Sequence, residues 1–152
     1  MITFDAEFDV HIPDADELIA RYNLEPMGAV QQAIDRCVIE YAMPYVPGDD
    51  LAQSPYEATV IGSGTVVYPR PYAHYLYYGE VYGPNIPIFD KGSSEPVGFF
   101  SPPGMEKHPT GKQIDYSKSG NPLAGPYWIE RMIADRHDDI MAEATRAMNG
   151  EQ

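Results

Sequence analysis

The sequence predicts an α+β fold: a small, mostly antiparallel sheet packed against a central and a C-terminal helix, with a long Pro/Gly-rich loop, all in one domain over residues 1–152. Three observations lead there. Residues 2–12 alternate, with Ile2, Phe4, Ala6, Phe8, Val10 and Ile12 on one face and Thr3, Asp5, Glu7, Asp9 and His11 on the other, as in a half-buried strand. Two later stretches repeat apolar residues every three or four positions, the period of an amphipathic helix. Between those stretches, residues 83–126 carry eight prolines and seven glycines, a density that regular structure rarely tolerates.

Taken in order, the N-terminal strand leads to Asp14, a natural N-cap, with Glu17 three residues on completing a capping-box-like pair for a short helix through about Tyr22. Pro26 opens the central helix, whose stripe is Met27, Val30, Ile34, Cys37, Val38 and Tyr41; Pro44 and Pro47 stop it. From Glu57, "ATVI", "GSG" and "TVVYP" read as two strands joined by a turn. "PYAHYLYYG" reads as one or two helical turns, with Pro71 in the first turn and Gly79 at the end. Residues 83–125 form an extended loop arm in which "IPIF", "GFF" and "QIDY" are short strand-like anchors. Pro126 then starts a C-terminal helix with an apolar stripe of Trp128 or Ile129, Met132, Ile133, Ile140, Ala144 and Ala147, ended by Gly150.

A length of 152 residues and 16.9 kDa suits one core and is short for two. The net charge of -13 argues against phosphate neutralisation as the main activity, because a nucleic-acid wrapper needs clustered Lys and Arg. That charge is uneven: residues 1–57 hold 2 basic and 12 acidic side chains, residues 58–152 hold 8 and 11. All four lysines, Lys91, Lys107, Lys112 and Lys118, fall in the loop-rich arm. They read either as a solvated loop or as a mildly basic surface that docks on an acidic neighbouring copy. Cys37 lies on the apolar side of the central helix, which fits a core thiol in a reducing compartment. The N-terminus lacks a basic segment followed by an apolar run, and no stretch has the length of a membrane span.

Catalytic and metal motifs fail on spacing, and no catalytic, metal or cofactor residue is assigned. The four histidines, at 11, 74, 108 and 137, are isolated from one another and from Cys37. His137, Asp138 and Asp139 are adjacent on a helix and point in different directions. "GMEKHPTGK" has six residues between its glycines where a phosphate-binding loop has four, and Gln113 stands where Ser or Thr should hold magnesium. Ser63 in "GSG" is a turn residue without the flanks of a nucleophile elbow.

The most distinctive stretch is "PYAHYLYYGEVYG", residues 71–83, with Tyr72, Tyr75, Tyr77, Tyr78 and Tyr82. Tyr72 and Leu76 fit an ordinary core role. Five phenols on so short a turn cannot all face one interior, and tyrosine is enriched where one end is apolar and the other wet, so some should meet another chain. The candidate protein-interface residues are therefore Tyr72, Tyr75, Tyr77, Tyr78, Glu80 and Tyr82, with Lys107, Lys112 and Lys118 on the arm.

"PYAHYLYYGEVYGPNIPI", followed by "SPPGMEKHPTGKQIDYSKSGNPLAGPYWIERMIADRHDDIM", resembles the minor capsid protein family of long-tailed bacteriophages and prophages of Gram-positive bacteria. More weakly it is similar to the wider group of head-tail joining or tail-completion neck proteins. The likeness covers roughly residues 26–148 and leaves out residues 1–13. It implies a non-enzymatic virion protein, made in the host cytoplasm, that forms a ring in the neck between portal and tail. Its partners would be further copies and other neck proteins on the portal or adaptor side and on the tail terminator side. DNA would pass through the lumen without specific binding, past carboxylates such as Asp49, Asp50, Asp138 and Asp139, and no membrane or cofactor is involved. Stopper or tail terminator is the nearest alternative within that stack. A small carboxylate-dependent hydrolase, with a convergent acid pair near the loop, is the alternative from another class.

Overall fold

A computed structural model describes residues 14–151, so the alternating segment 2–12 lies outside the described residues. The first helix, α1 (Ala15–Arg21), starts where expected, the Asp14 carboxylate accepting a hydrogen bond of 3.4 Å from the Asp16 N–H. The central helix, α2, runs Ala29–Ala42. It begins three residues after Pro26, because Met27 takes a positive φ of 64° and Gly28, the N-cap, donates back to Glu25 in a tight turn. Pro44 lies in a 3-10 turn, Met43–Tyr45, that ends it as the sequence predicts. Two short helices follow, α3 (Asp49–Gln53) and α4 (Pro55–Ala58). The tyrosine-rich turn is α5 (Ala73–Tyr78), and the C-terminal helix is α6 (Trp128–Met148).

The core lies where the end of α2 and the 3-10 turn meet α3, α5 and the first turn of α6. Ala42, Tyr45, Val46, Leu51, Ala52, Ala73, Trp128 and Met132 form it, with Val38, Tyr41, Leu76 and Tyr77 packed around them. Truncating a fully buried side chain of this kind, such as Met132, typically costs about 2–5 kcal/mol. Polar links across the same joint fix its geometry: the Tyr45 hydroxyl donates to Asp135 at 2.7 Å, and the Arg136 guanidinium sits 4.5 Å above the Tyr41 ring. Of the stripe predicted for α6, Trp128 and Met132 are buried, whereas Ile133 is exposed.

Two sequence expectations are corrected. Residues 58–69 form no strand pair. The chain does reverse at Gly62–Gly64 and brings Thr59 opposite Val67. There the Val67 N–H donates to the Thr59 hydroxyl at 3.0 Å, and the Gly62 and Gly64 N–H groups are claimed by the Asp35 carboxylate of α2. A backbone ladder is replaced by side-chain acceptors.

The arm over residues 83–125 is also not structureless. It holds most of two antiparallel pairs: β1 (Glu80–Gly83) with β4 (His108–Gln113), and β2 (Ile86–Phe89) with β3 (Pro96–Phe100). Pro87, Pro96 and Pro109 are compatible with this because every strand in a two-stranded sheet is an edge, where a missing N–H need not break a ladder. The fold is thus α+β, with two small antiparallel sheets beside the helices in place of one central sheet. Beyond β4 the chain returns to the body: Leu123 and Gly125 donate to Pro44 and Tyr45, the Asn121 side chain donates to Val46 at 2.7 Å, and Ala124 is buried.

Candidate functional site

Gly79 positions the tyrosine turn. It closes α5 in the left-handed region at φ 75°, and a Cβ there would stand 3.1 Å from both Pro126 and the Tyr116 hydroxyl. Those neighbours clamp the turn from outside: Tyr116 Oη donates to the Leu76 carbonyl at 2.6 Å, the Ile114 N–H to Gly79 at 2.8 Å, and the Tyr127 N–H to Tyr77 at 2.9 Å. Hence α5 is held by the returning arm and by the entry to α6.

The clustered tyrosines divide by direction. Tyr77 faces inward; its ring meets Trp128 edge-to-face at 4.6 Å and its hydroxyl donates to Glu130. Burial, then the Glu130 carboxylate, pushes its phenol well above the usual range. Tyr75 is half-buried and packs at 4.8 Å against Tyr82, which is half-buried on β1. Tyr78 is 50% exposed, flanked by His74 at 4.9 Å and by the exposed Tyr127 at 6.0 Å. Tyr72 is 41% exposed at the helix start, which corrects the expectation of a core role. Its hydroxyl donates to Asp50 at 2.7 Å, and that bond, ahead of burial, raises its phenol.

Four sequence-predicted interface residues come together. Tyr75, Glu80, Tyr82 and Lys107, with Asn85 and Ile114, line a cleft of about 540 Å³ at the root of the arm. The Glu80 carboxylate accepts from the Gly111 N–H at 3.0 Å, which ties β1 to β4. Lys107 donates to the Pro84 carbonyl at 2.6 Å and to Asn85 at 2.7 Å, and Lys118 donates to the Ala124 carbonyl. Both ammonium groups therefore brace the arm. Lys112 stands apart from them on the exposed strand β4.

The ribbon of β2 and β3 presents a run of exposed apolar side chains. Register pairs Ile86 with Phe100 and Pro87 with Phe99, so Ile86, Ile88 and Phe100 share one face while Phe89 and Phe99 lie on the other. All five are exposed, as is Val97, and Phe99 reaches 65%. No residue of either strand is buried, and only Gly98 is partly covered. The sequence contained a signal for this ribbon: two apolar runs, "IPIF" and "PVGFF", flank the polar turn "DKGSSE", and neither alternates with polar residues. A ribbon apolar on both sides has no wet face.

Asp35, Tyr68 and Trp128 escaped sequence reasoning as site residues. Asp35 is 2% exposed and accepts from Gln31 at 2.8 Å, Gly62 at 2.7 Å and Gly64 at 3.2 Å. It thereby holds the reversal at 62–64 against α2. Beside it, Ile34, Val38, Val66, Tyr68, Trp128 and Ile129 line an apolar cavity of about 360 Å³. Burial lifts the Tyr68 phenol to about 12, with the adjacent Trp128 offsetting part of the rise. Both Tyr68 Oη and Trp128 Nε1 are buried, and neither makes a well-formed hydrogen bond among the described residues; the indole lies near enough to the phenol only to offset part of its rise.

Two carboxylates, Asp50 and Glu57, converge on a cation. Arg70 binds Asp50 at 2.8 Å and Glu57 at 2.9 Å, and its guanidinium holds both carboxyls below their ordinary range. Asp139 likewise pairs with Arg136 at 2.7 Å. Among the described residues no cluster of His, Cys, Asp and Glu could hold a metal ion, and no helix is long and apolar enough to cross a membrane. Comparison of the chain with models of known protein families, with curated proteins and with solved structures finds no match.

Proposed function

We propose that the chain is a non-enzymatic structural subunit of the bacteriophage head-tail interface, a neck or connector component that acts in head-tail joining or tail completion through contacts with further copies and neighbouring neck proteins. The observation that carries this reading is the β2–β3 ribbon, whose exposed Ile, Val and Phe side chains form a projecting apolar surface of the kind that marks a contact with another macromolecule. The "PYAHYLYYG" and "AGPYWIERM" motifs, which resemble those of minor capsid and neck proteins, supply the biological setting.

The hydrolase alternative needs a carboxyl that keeps its proton near neutral pH. Asp50 and Glu57 are shifted the opposite way by Arg70, so this pair supports charge pairing and not acid catalysis. For passage of DNA, the ion pairs of Asp50 and Asp139 leave these two less able to repel phosphate than their formal charge suggests, and Asp49, which makes no ion pair among the described residues, becomes the stronger candidate for a lumen-facing carboxylate. The test is location. Antibody against the chain, applied to virions induced from the strain that encodes it, should label the junction of head and tail in electron micrographs; label confined to non-virion fractions would overturn the proposal.

A further inference from the structure

We propose that residues 2–12 of one copy add as a third strand to the free edge of β3 in the next copy. The contact rests on the assembly reading and joins one end of a copy to the other end of its neighbour, a heterologous arrangement that closes into a ring or runs on as a filament.

The ribbon needs another strand. A two-stranded hairpin with no buried residue is marginal in water, whereas three strands with an apolar face sustain a sheet. Among the described residues β2 and β3 have only each other, so each keeps an outer edge that can template a further strand. The better edge is that of β3. Its one proline, Pro96, is its first residue, so Val97 to Phe100 keep every N–H, while Pro87 interrupts β2.

Residues 2–12 have the chemistry that the ribbon lacks. They contain neither Pro nor Gly, and six of them, Ile2, Thr3, Phe4, Phe8, Val10 and Ile12, are β-branched or aromatic strand formers. Their apolar set would continue the face of Ile86, Ile88 and Phe100, and their polar set would give the sheet a wet side. Backbone bonds and apolar pairs hold such a contact, not charge: residues 86–100, with Asp90, Lys91 and Glu95, are net -1, and the incoming strand brings Asp5, Glu7 and Asp9. Added salt should therefore strengthen it by screening the mild repulsion.

Geometry favours the neighbour's ribbon over the copy's own. Helix α1 ends against the last turn of α6, where the Asn23 side chain donates to the Ala147 carbonyl at 3.4 Å. The arm departs after Gly79, which packs on Pro126 just before the opposite end of α6. That helix has 21 residues, a length of about 30 Å. Eleven extended residues reach about 36 Å, and pairing along β3 uses about 17 Å of it, so what remains is shorter than α6. Reaching its own ribbon would require the segment to run back along the body.

The test uses the full-length chain. E7P/F8P removes two consecutive N–H groups, one of which faces β3 in either orientation; F4D/F8D replaces it should circular dichroism show it unfolded. From ~1 μM to ~1 mM, a span that includes weak contacts, the natural chain should associate in sedimentation and its β3 amides should exchange about tenfold more slowly or better. E7P/F8P should stay monomeric, with fast β3 exchange throughout. A synthetic peptide of residues 1–13, added to the ¹⁵N-labelled E7P/F8P chain, should shift the amide resonances of Val97 to Phe100, and the same peptide carrying both prolines should not.

Slow β3 exchange in a monomer at ~1 μM would show that each copy covers its own ribbon, and overturn the inference. Association of E7P/F8P equal to that of the natural chain, a natural chain that is monomeric at ~1 mM, or a peptide that moves no β3 resonance would also overturn it. These outcomes leave the antibody label at the head-tail junction untouched, while loss of that label together with concentration-dependent β3 protection would refute the virion location and keep the strand contact.

Discussion

At the scale of single residues, Asp35 and Tyr77 carry more of the structure than their sequence context reveals. Asp35 stands on the buried side of α2 and satisfies two backbone N–H groups 27 and 29 residues away. Asp35→Ala should lower stability by about 1–3 kcal/mol in urea unfolding, the usual cost of orphaning buried donors, and Asp35→Asn should lose less because one oxygen still accepts. A change below ~0.5 kcal/mol would mean that water replaces the carboxylate at no cost. Within the tyrosine turn, Tyr77→Ala should cost about 2 kcal/mol or more, since its ring packs on buried Trp128. Tyr78→Ala should stay within ~0.5 kcal/mol, as for other exposed positions. The sequence identified the cluster but not this division, because the inward direction of Tyr77 depends on α6, fifty residues away.

The Arg70 pair belongs to the same scale and sets a pH dependence. Asp50 and Glu57 titrate below their ordinary values of 3.8 and 4.5 in the folded chain. Between the unfolded and folded values the unfolded chain binds more protons, so the stability these groups contribute is whole above the ordinary range and is lost as pH falls through the folded values. Urea midpoints of the natural chain should drop below pH ~4, and those of Arg70→Gln should drop less over the same interval. Parallel curves would show that the exposed pair adds no folded-state stability.

At the scale of elements, the longer helices were legible and the short helices α3 and α4 were not; of the strands, β2 and the end of β3 were foreshadowed by "IPIF" and "GFF", but no pairing was. Apolar residues at spacings of three and four, with proline and glycine as stops, placed α2, α5 and α6 to within a few residues. The strand reading of residues 58–69 went astray because Thr59, Val66 and Val67 have strand-like character while the decisive acceptor, Asp35, lies on another element. The ribbon was read as strand-like anchors, "IPIF" and "GFF", inside a loop; their pairing was missed because prolines and glycines obscure the strand pattern, and tolerance of proline depends on edge position, which composition does not encode. The ribbon has few contacts to protect it. Backbone amides of β2 and β3 in the isolated chain should exchange with deuterium faster than those of α2 and α6 by orders of magnitude. Equal protection would mean that the ribbon is already covered.

At the scale of the whole molecule, the chain divides into an acidic helical body around one core and a neutral arm that carries the exposed apolar surface. At the root of that arm, Tyr75, Glu80, Tyr82 and Lys107 line one cleft. The apolar centre of the surface lies further out, on Phe99 and Phe100. Electron microscopy of particles made with F99S/F100S, in the phage or prophage background that encodes the chain, therefore tests the central claim most directly. The account predicts DNA-filled heads and separate tails that do not join, from a variant that folds normally on its own; intact virions in natural yield would contradict it.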